Sequence, residues 1–107
     1  MQQSTILAAR LPITARTATR TLSLTTSDTS VSLPAGGYEL VLGGSSDLAV
    51  IGLGVSTTSL PSATETEGIS VIPSLGSAEH ALDAVTTLHA RVLTGTATLY
   101  IVRKSEV

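Results

Sequence analysis

The chain has 107 residues, of which 42% are hydrophobic and 13% charged, and a formal net charge of −2. That length suits one compact domain and is short for two. Cys is absent, which excludes disulfide frameworks, thiolate nucleophiles and cysteine-based zinc or iron–sulfur sites.

The apolar content must come from 15 Leu, 9 Val, 6 Ile and 12 Ala, because the only aromatic residues are Tyr38 and Tyr100. No run of apolar residues is long enough for a membrane-spanning helix, so no membrane partner is expected. High hydrophobicity with little net charge is the composition of a folded chain, not a disordered one. A domain this small buries a limited share of its surface. Apolar residues in excess of its core are expected to serve contacts with other subunits.

The small net charge hides a segregation. Residues 1–27 carry Arg10, Arg16 and Arg20 and no acid, a local +3. Residues 28–90 carry seven acids and no Lys or Arg, a local −7. Residues 91–107 return to +2 through Arg91, Arg103, Lys104 and Glu106. Three arginines without an aromatic neighbour are too sparse for a nucleic-acid footprint, and no nucleic-acid partner is expected. The Arg-rich, acid-free start matches the composition of a transit peptide, but Pro12 interrupts any long amphipathic helix there. We read residues 1–19 as an extended docking arm. Its apolar anchors are Ile6, Leu7, Leu11 and Ile13, and its charges are Arg10 and Arg16, with Arg20 at its junction with the domain. These seven residues are the expected interface with a neighbouring subunit.

From Arg20 the pattern becomes that of strands. Leu22 and Leu24 alternate with Thr21, Ser23 and Thr25, and Val31 and Leu33 repeat the pattern after a turn at 26–28. Leu33-Pro-Ala-Gly-Gly37 is a reversal, followed by Tyr38, Leu40 and Leu42 on one face. The run Asp47–Val55 is apolar on both faces, which predicts a central strand covered on both sides. Gly52 and Gly54 in it predict a bulge or a close approach by another backbone. Residues 56–68 form one long polar loop, at the length where loops carry function or are disordered. Ile69–Ile72 is a short strand. Ala78–Thr86 fits either a helical stripe or strand alternation, and the two strands that follow it favour strand. Thr87–Leu93 and Thr96–Arg103 form a closing hairpin across Thr94–Gly95. The expected fold is all-β: an antiparallel β-sandwich or jelly-roll-like domain of about seven or eight short strands over residues 20–107, plus the N-terminal arm.

Chemistry-bearing motifs are weak. Gly52-Leu-Gly54 lacks the third glycine and the helix of a dinucleotide fingerprint. His80 and His89, on expected neighbouring strands, could meet, but a metal site needs three or four convergent ligands. Serines are abundant, yet no Gly-x-Ser-x-Gly elbow occurs. Glu65 and Glu67 lack the spacing of a calcium loop. A sugar site would want aromatic platforms that two tyrosines barely supply. The chain is therefore expected to be no enzyme and to need no cofactor or metal.

The run Val31-Ser-Leu-Pro-Ala-Gly-Gly-Tyr-Glu-Leu-Val41, with a glycine-rich apolar strand after it, resembles the strand–turn–strand of small tailed-phage virion proteins. Leu88 to Arg103 resembles their closing hairpin, in which a Gly-Thr turn precedes a Leu-Tyr-Ile strand. The resemblance spans about residues 28–103 and rests on turns and alternation, not on a catalytic motif. It implies a homo-oligomeric capsid decoration or cement protein on the virion surface, made in the host bacterial cytoplasm. Its partners would be the major capsid protein, or another virion protein, and itself as dimer or trimer. A neck or tail fitting, or a carbohydrate- or receptor-binding module using the 56–68 loop, is the alternative.

Overall fold

A computed structural model describes residues 18–44, 47–58 and 67–105. They form eight strands: β1 (Ala18–Leu24), β2 (Thr29–Leu33), β3 (Gly36–Gly43), β4 (Ala49–Leu53), β5 (Ile69–Ile72), β6 (Ser77–Leu82), β7 (Thr86–Val92) and β8 (Ala97–Ser105). Two four-stranded sheets result, in the orders β1-β8-β3-β6 and β2-β7-β4-β5. Every pairing is antiparallel. The first strand pairs with the eighth, the second with the seventh, the third with the sixth and the fourth with the fifth. This is one long antiparallel ribbon folded double and rolled up, closed by the β3–β8 and β4–β7 ladders. It is the eight-stranded jelly-roll form of a β-sandwich. The ambiguous stretch Ala78–Thr86 holds no helix: β6 runs through Leu82, residues 83–85 turn the chain, and Thr86 opens β7.

Alternation explains which residues fill the sandwich. Leu22, Leu24, Leu40, Leu42, Leu99 and Ile101 project inward from the first sheet. Leu33, Ile51, Ile72, Leu88, Ala90 and Val92 meet them from the second. Mostly threonine, serine and charged residues alternate with them on the outer faces, with Val41, Val50, Tyr100 and Val102 the apolar exceptions, so a register slip of one residue would turn the core to water.

β4 is covered on both faces, as its composition requires. Ala49 and Ile51 belong to the core, and Val50, which points the other way, is only 1% exposed. The chain's own loop supplies that outer cover. Gly54 turns the backbone with φ 76°, and its N–H donates to the Thr87 carbonyl at 2.8 Å. The loop then doubles back over the outer face of the second sheet. A Cβ on Gly52 would stand 2.1 Å from the Val55 carbonyl oxygen, so glycine is required there. The close approach expected at this glycine is thus made by residues 54–58, which we call the strap.

Gly52→Ala should therefore lift the strap and leave the sandwich folded. The expected cost is about 1–3 kcal/mol, in the range of overpacking substitutions. Chemical denaturation would measure it, and hydrogen exchange should show the Gly54 amide losing protection while β3 and β8 keep theirs.

Candidate functional site

Of the seven expected interface residues, Ile6, Leu7, Arg10, Leu11, Ile13 and Arg16 lie outside the described residues. Arg20 is in β1, on the same face as Leu22 and Leu24. Its Nη1 donates to the Ser32 carbonyl of β2 at 3.1 Å, bridging the two sheets at their edge.

Arg20 stands beside a polar row at one end of the sandwich. Arg103 of β8 lies opposite Ala18 of β1 on one side and Tyr38 of β3 on the other, and Tyr38 lies opposite His80 of β6. One step further into the sheet the row is Arg20, Ile101, Leu40 and Ala78, and beyond it the row is wholly aliphatic. This end, the mouth, is where the inner face of the first sheet turns from aliphatic to polar. The Tyr38 hydroxyl donates to the Pro34 carbonyl at 2.6 Å, and Arg103 Nη2 donates to the Ala35 carbonyl at 2.6 Å. Both bonds tie the first sheet to the β2–β3 turn. Two donors or acceptors in this row are buried without a partner: Arg103 Nε and His80 Nε2. Leaving a buried polar atom unpaired costs about 1–3 kcal/mol, more for a charged group. Two cavities flank Tyr38. One, of about 180 Å³, is lined by Ala18, Arg20, Leu33, Pro34, Tyr38, Ile101 and Arg103. The other, more open and about 390 Å³, lies over Gly37, His80 and Ala81.

A second cluster holds the strap down. Asp28, at the end of the β1–β2 turn, is its hub. One carboxylate oxygen, Oδ1, accepts from the Thr57 backbone N–H at 2.7 Å and also from the Thr57 hydroxyl. The other, Oδ2, lies 2.8 Å from His89 Nδ1, which must therefore carry the hydrogen. Arg91 Nε donates to the Thr57 carbonyl at 2.6 Å. Thr57 is fully buried by these contacts. Burial pushes the Asp28 carboxyl up, but the hydrogen bonds from Thr57 and His89 outweigh it and hold its pKa below the ordinary 3.8. The arrangement is a latch, not a nucleophile relay. The hydroxyl bonds the carboxylate, whereas in a Ser–His–Asp relay the hydroxyl would bond the imidazole.

On the outer face of the first sheet, Glu39 and Glu79 lie directly opposite each other on β3 and β6. Like charges in that position repel. Lys104 bridges them, 3.0 Å from Glu39 and 3.4 Å from Glu79. The hydrogen bond to Glu39 raises the lysine pKa.

His80 and His89 do not meet. The roll-up places β6 in one sheet and β7 in the other, so the expectation of neighbouring strands fails. Among the described residues, no three His, Asp or Glu side chains converge as metal ligands. The latch was not read from the sequence, because its members are 29 and 61 residues apart. Its only local trace is an Asp in a turn and a His on the polar face of an alternating strand. The mouth had a clearer trace: Arg20, Tyr38, His80 and Arg103 occupy positions where the alternation calls for an inward residue. Comparisons with protein-family models, with curated proteins and with solved structures return no match.

The latch predicts an acid-sensitive strap. With its folded pKa depressed, Asp28 contributes stability that is complete above the unfolded carboxylate value near 3.8 and is lost as pH falls through the lower folded value. The Thr57 amide should stay protected from exchange at neutral pH and lose protection in acid below that value. Asp28→Asn should abolish that pH step and lower protection at neutral pH. Unchanged protection of Thr57 in Asp28→Asn would refute the latch.

Proposed function

We propose that this chain is a non-enzymatic structural protein of a tailed-phage virion, a capsid decoration or cement protein that binds the major capsid protein lattice and further copies of itself. The observation that carries the reading is the separation of charge. Residues 28–90 hold seven acids and no Lys or Arg, and Glu67, Glu79 and Asp83 among them are exposed on the body. The basic N-terminal segment joins the domain at Ala18, beside the two mouth arginines. Such a segment suits an acidic body, and it cannot use the mouth of its own domain as an acidic partner.

The fold supports the reading without deciding it. Jelly rolls serve capsids, lectins and cupins alike, so architecture alone does not assign a role. The resemblance of residues 28–103 to small virion proteins points to the capsid use. The physics suits that use. A protein that clamps a lattice works through repeated weak contacts, and multivalency raises avidity by about 10²–10⁴-fold over a single contact. Arm contacts through Ile6, Leu7, Leu11 and Ile13 add apolar burial without enlarging the domain, and Arg10, Arg16 and Arg20 add charge contacts that salt weakens.

Deleting residues 1–17 tests this directly, since it spares β1. The truncated chain and the full chain should both unfold cooperatively, and the truncated chain should fail to bind capsid particles in a sedimentation assay. Truncated protein that co-sediments with particles as well as the full chain would overturn the arm's role. Attachment of the full chain should weaken as salt is raised.

A further inference from the structure

The two sides of the sandwich differ in how their edges are closed. On one side Arg20 of β1 bonds the Ser32 carbonyl of β2, so the two edge strands are tied together. On the other side β5 and β6 end their sheets. β5 is four residues long and Pro73 follows it at once. β6 is six residues long and carries no proline, lysine or arginine to blunt its edge. We propose that the β6 edge takes the N-terminal segment of a second copy as an added antiparallel strand, with Arg10 of that copy set opposite Glu79. The proposal rests on the self-association put forward above and names the surface that the segment meets.

Four observations lead there. The first is in the backbone. The Leu42 N–H donates to the Gly76 carbonyl at 2.9 Å, one step beyond the Val41–Ser77 pair of the β3–β6 ladder. Bonded and non-bonded pairs alternate along an antiparallel ladder. Leu40–Ala78 and Tyr38–His80 are therefore bonded pairs, and Ser77, Glu79 and Ala81 turn their N–H and C=O groups away from β3. All three residues are exposed, and no described strand lies beyond them.

The second is charge. Glu79 lies opposite Glu39, and one lysine, Lys104, serves both carboxylates, so the group stays negative. Asp83, just past the strand, is exposed as well. Two β6 strands paired about their centres would set Glu79 against its own counterpart, and like charges in that position repel. The edge thus rejects a second β6 and suits a basic strand. β1, the other edge of the same sheet, carries Arg20 and repels one.

The third is the pattern of the segment. Read as a strand, it puts Leu7, Ala9, Leu11 and Ile13 on one face and Arg10 on the other. With Arg10 opposite Glu79, Ala9 falls opposite His80 and Leu11 opposite Ala78, so the apolar face extends the side of β6 that packs on the core. Pro12, which lacks an N–H, falls opposite Ser77 and ends the ladder there. The fourth is Leu75, immediately before Gly76. It is 74% exposed, with φ 59°, a left-handed conformation that a bulky residue rarely adopts. In the same register Ile13 arrives opposite Gly76, beside it.

The test is residue-by-residue amide hydrogen exchange of the full chain at low and at high concentration, with its mass measured alongside. Ala78 and His80, bonded to β3, should be protected at both. Ser77, Glu79 and Ala81 should exchange freely when dilute and gain at least about tenfold protection when concentrated. A synthetic peptide of residues 2–17 should protect the same three amides in the dilute chain. Glu79→Lys and Arg10→Glu should each weaken association roughly tenfold, because each turns an attractive cross-strand pair repulsive. The chain carrying both substitutions should recover it. Protection of the three amides at every concentration would identify the chain's own segment as the occupant and overturn the second copy. A mass that grows with concentration while they stay unprotected would overturn the added strand and leave self-association standing. A mass of one chain at every concentration would overturn both. No recovery in the double variant would overturn the pairing of Arg10 with Glu79.

Discussion

Two sheets about 10 Å apart must be bridged by side chains, and this chain has almost only aliphatic ones to do it. Everything else in the structure follows from that constraint. Leucine and isoleucine span such a gap when they meet from both sides, and the rows from Leu24 and Ala97 through Leu40 and Ile101 do so. Each fully buried Leu or Ile contributes roughly 1.5–3 kcal/mol against remaining exposed. At the mouth the aliphatic rows end, and Tyr38 takes over with its hydroxyl anchored on Pro34. That is where Arg103 and His80 present buried nitrogens without partners.

The two outer faces of the sandwich differ for a related reason. β4 is apolar on both sides, so its outer face needs a cover, and the strap provides it over Val50 and Gly52. A polar loop lies on a sheet only if its backbone groups are satisfied there. Asp28 and Arg91 meet that need at Thr57, Asp28 accepting from its N–H and hydroxyl and Arg91 donating to its carbonyl, while His89 holds the other oxygen of Asp28. On the first sheet the outer face carries Val41, Val102 and Tyr100, the last 41% exposed, together with the Glu39–Lys104–Glu79 bridge.

Much of the fold was legible in the sequence, where one strand face is buried and the other wet. β3, β7 and β8 follow their alternation residue by residue, and β5 has the expected bounds, Ile69–Ile72. β4 is shorter than the apolar run 47–55, because Gly54 turns the chain and Asp47 closes onto the Leu48 N–H. The strap was not legible. Ser56, Thr57 and Thr58 read as solvated loop, and only a carboxylate distant in sequence makes Thr57 a buried residue. The separation of His80 from His89 was hidden too, since adjacent strands in sequence here cross between sheets. Of the expected interface, the structure describes Arg20 alone, on the core-facing side of β1 at the mouth.

The functional account joins these features. Acids and bases are segregated along the chain, with a net +3 over residues 1–27 and −7 over residues 28–90, and in the proposed reading the basic segment of one copy meets the acidic body of another. Multi-angle light scattering of the full chain, over a range of concentrations at low and at high salt, tests that claim most directly. The account predicts a mass above the 10.9 kDa of one chain that grows with concentration and falls back toward it as salt rises. A mass of one chain at every concentration in low salt would contradict it.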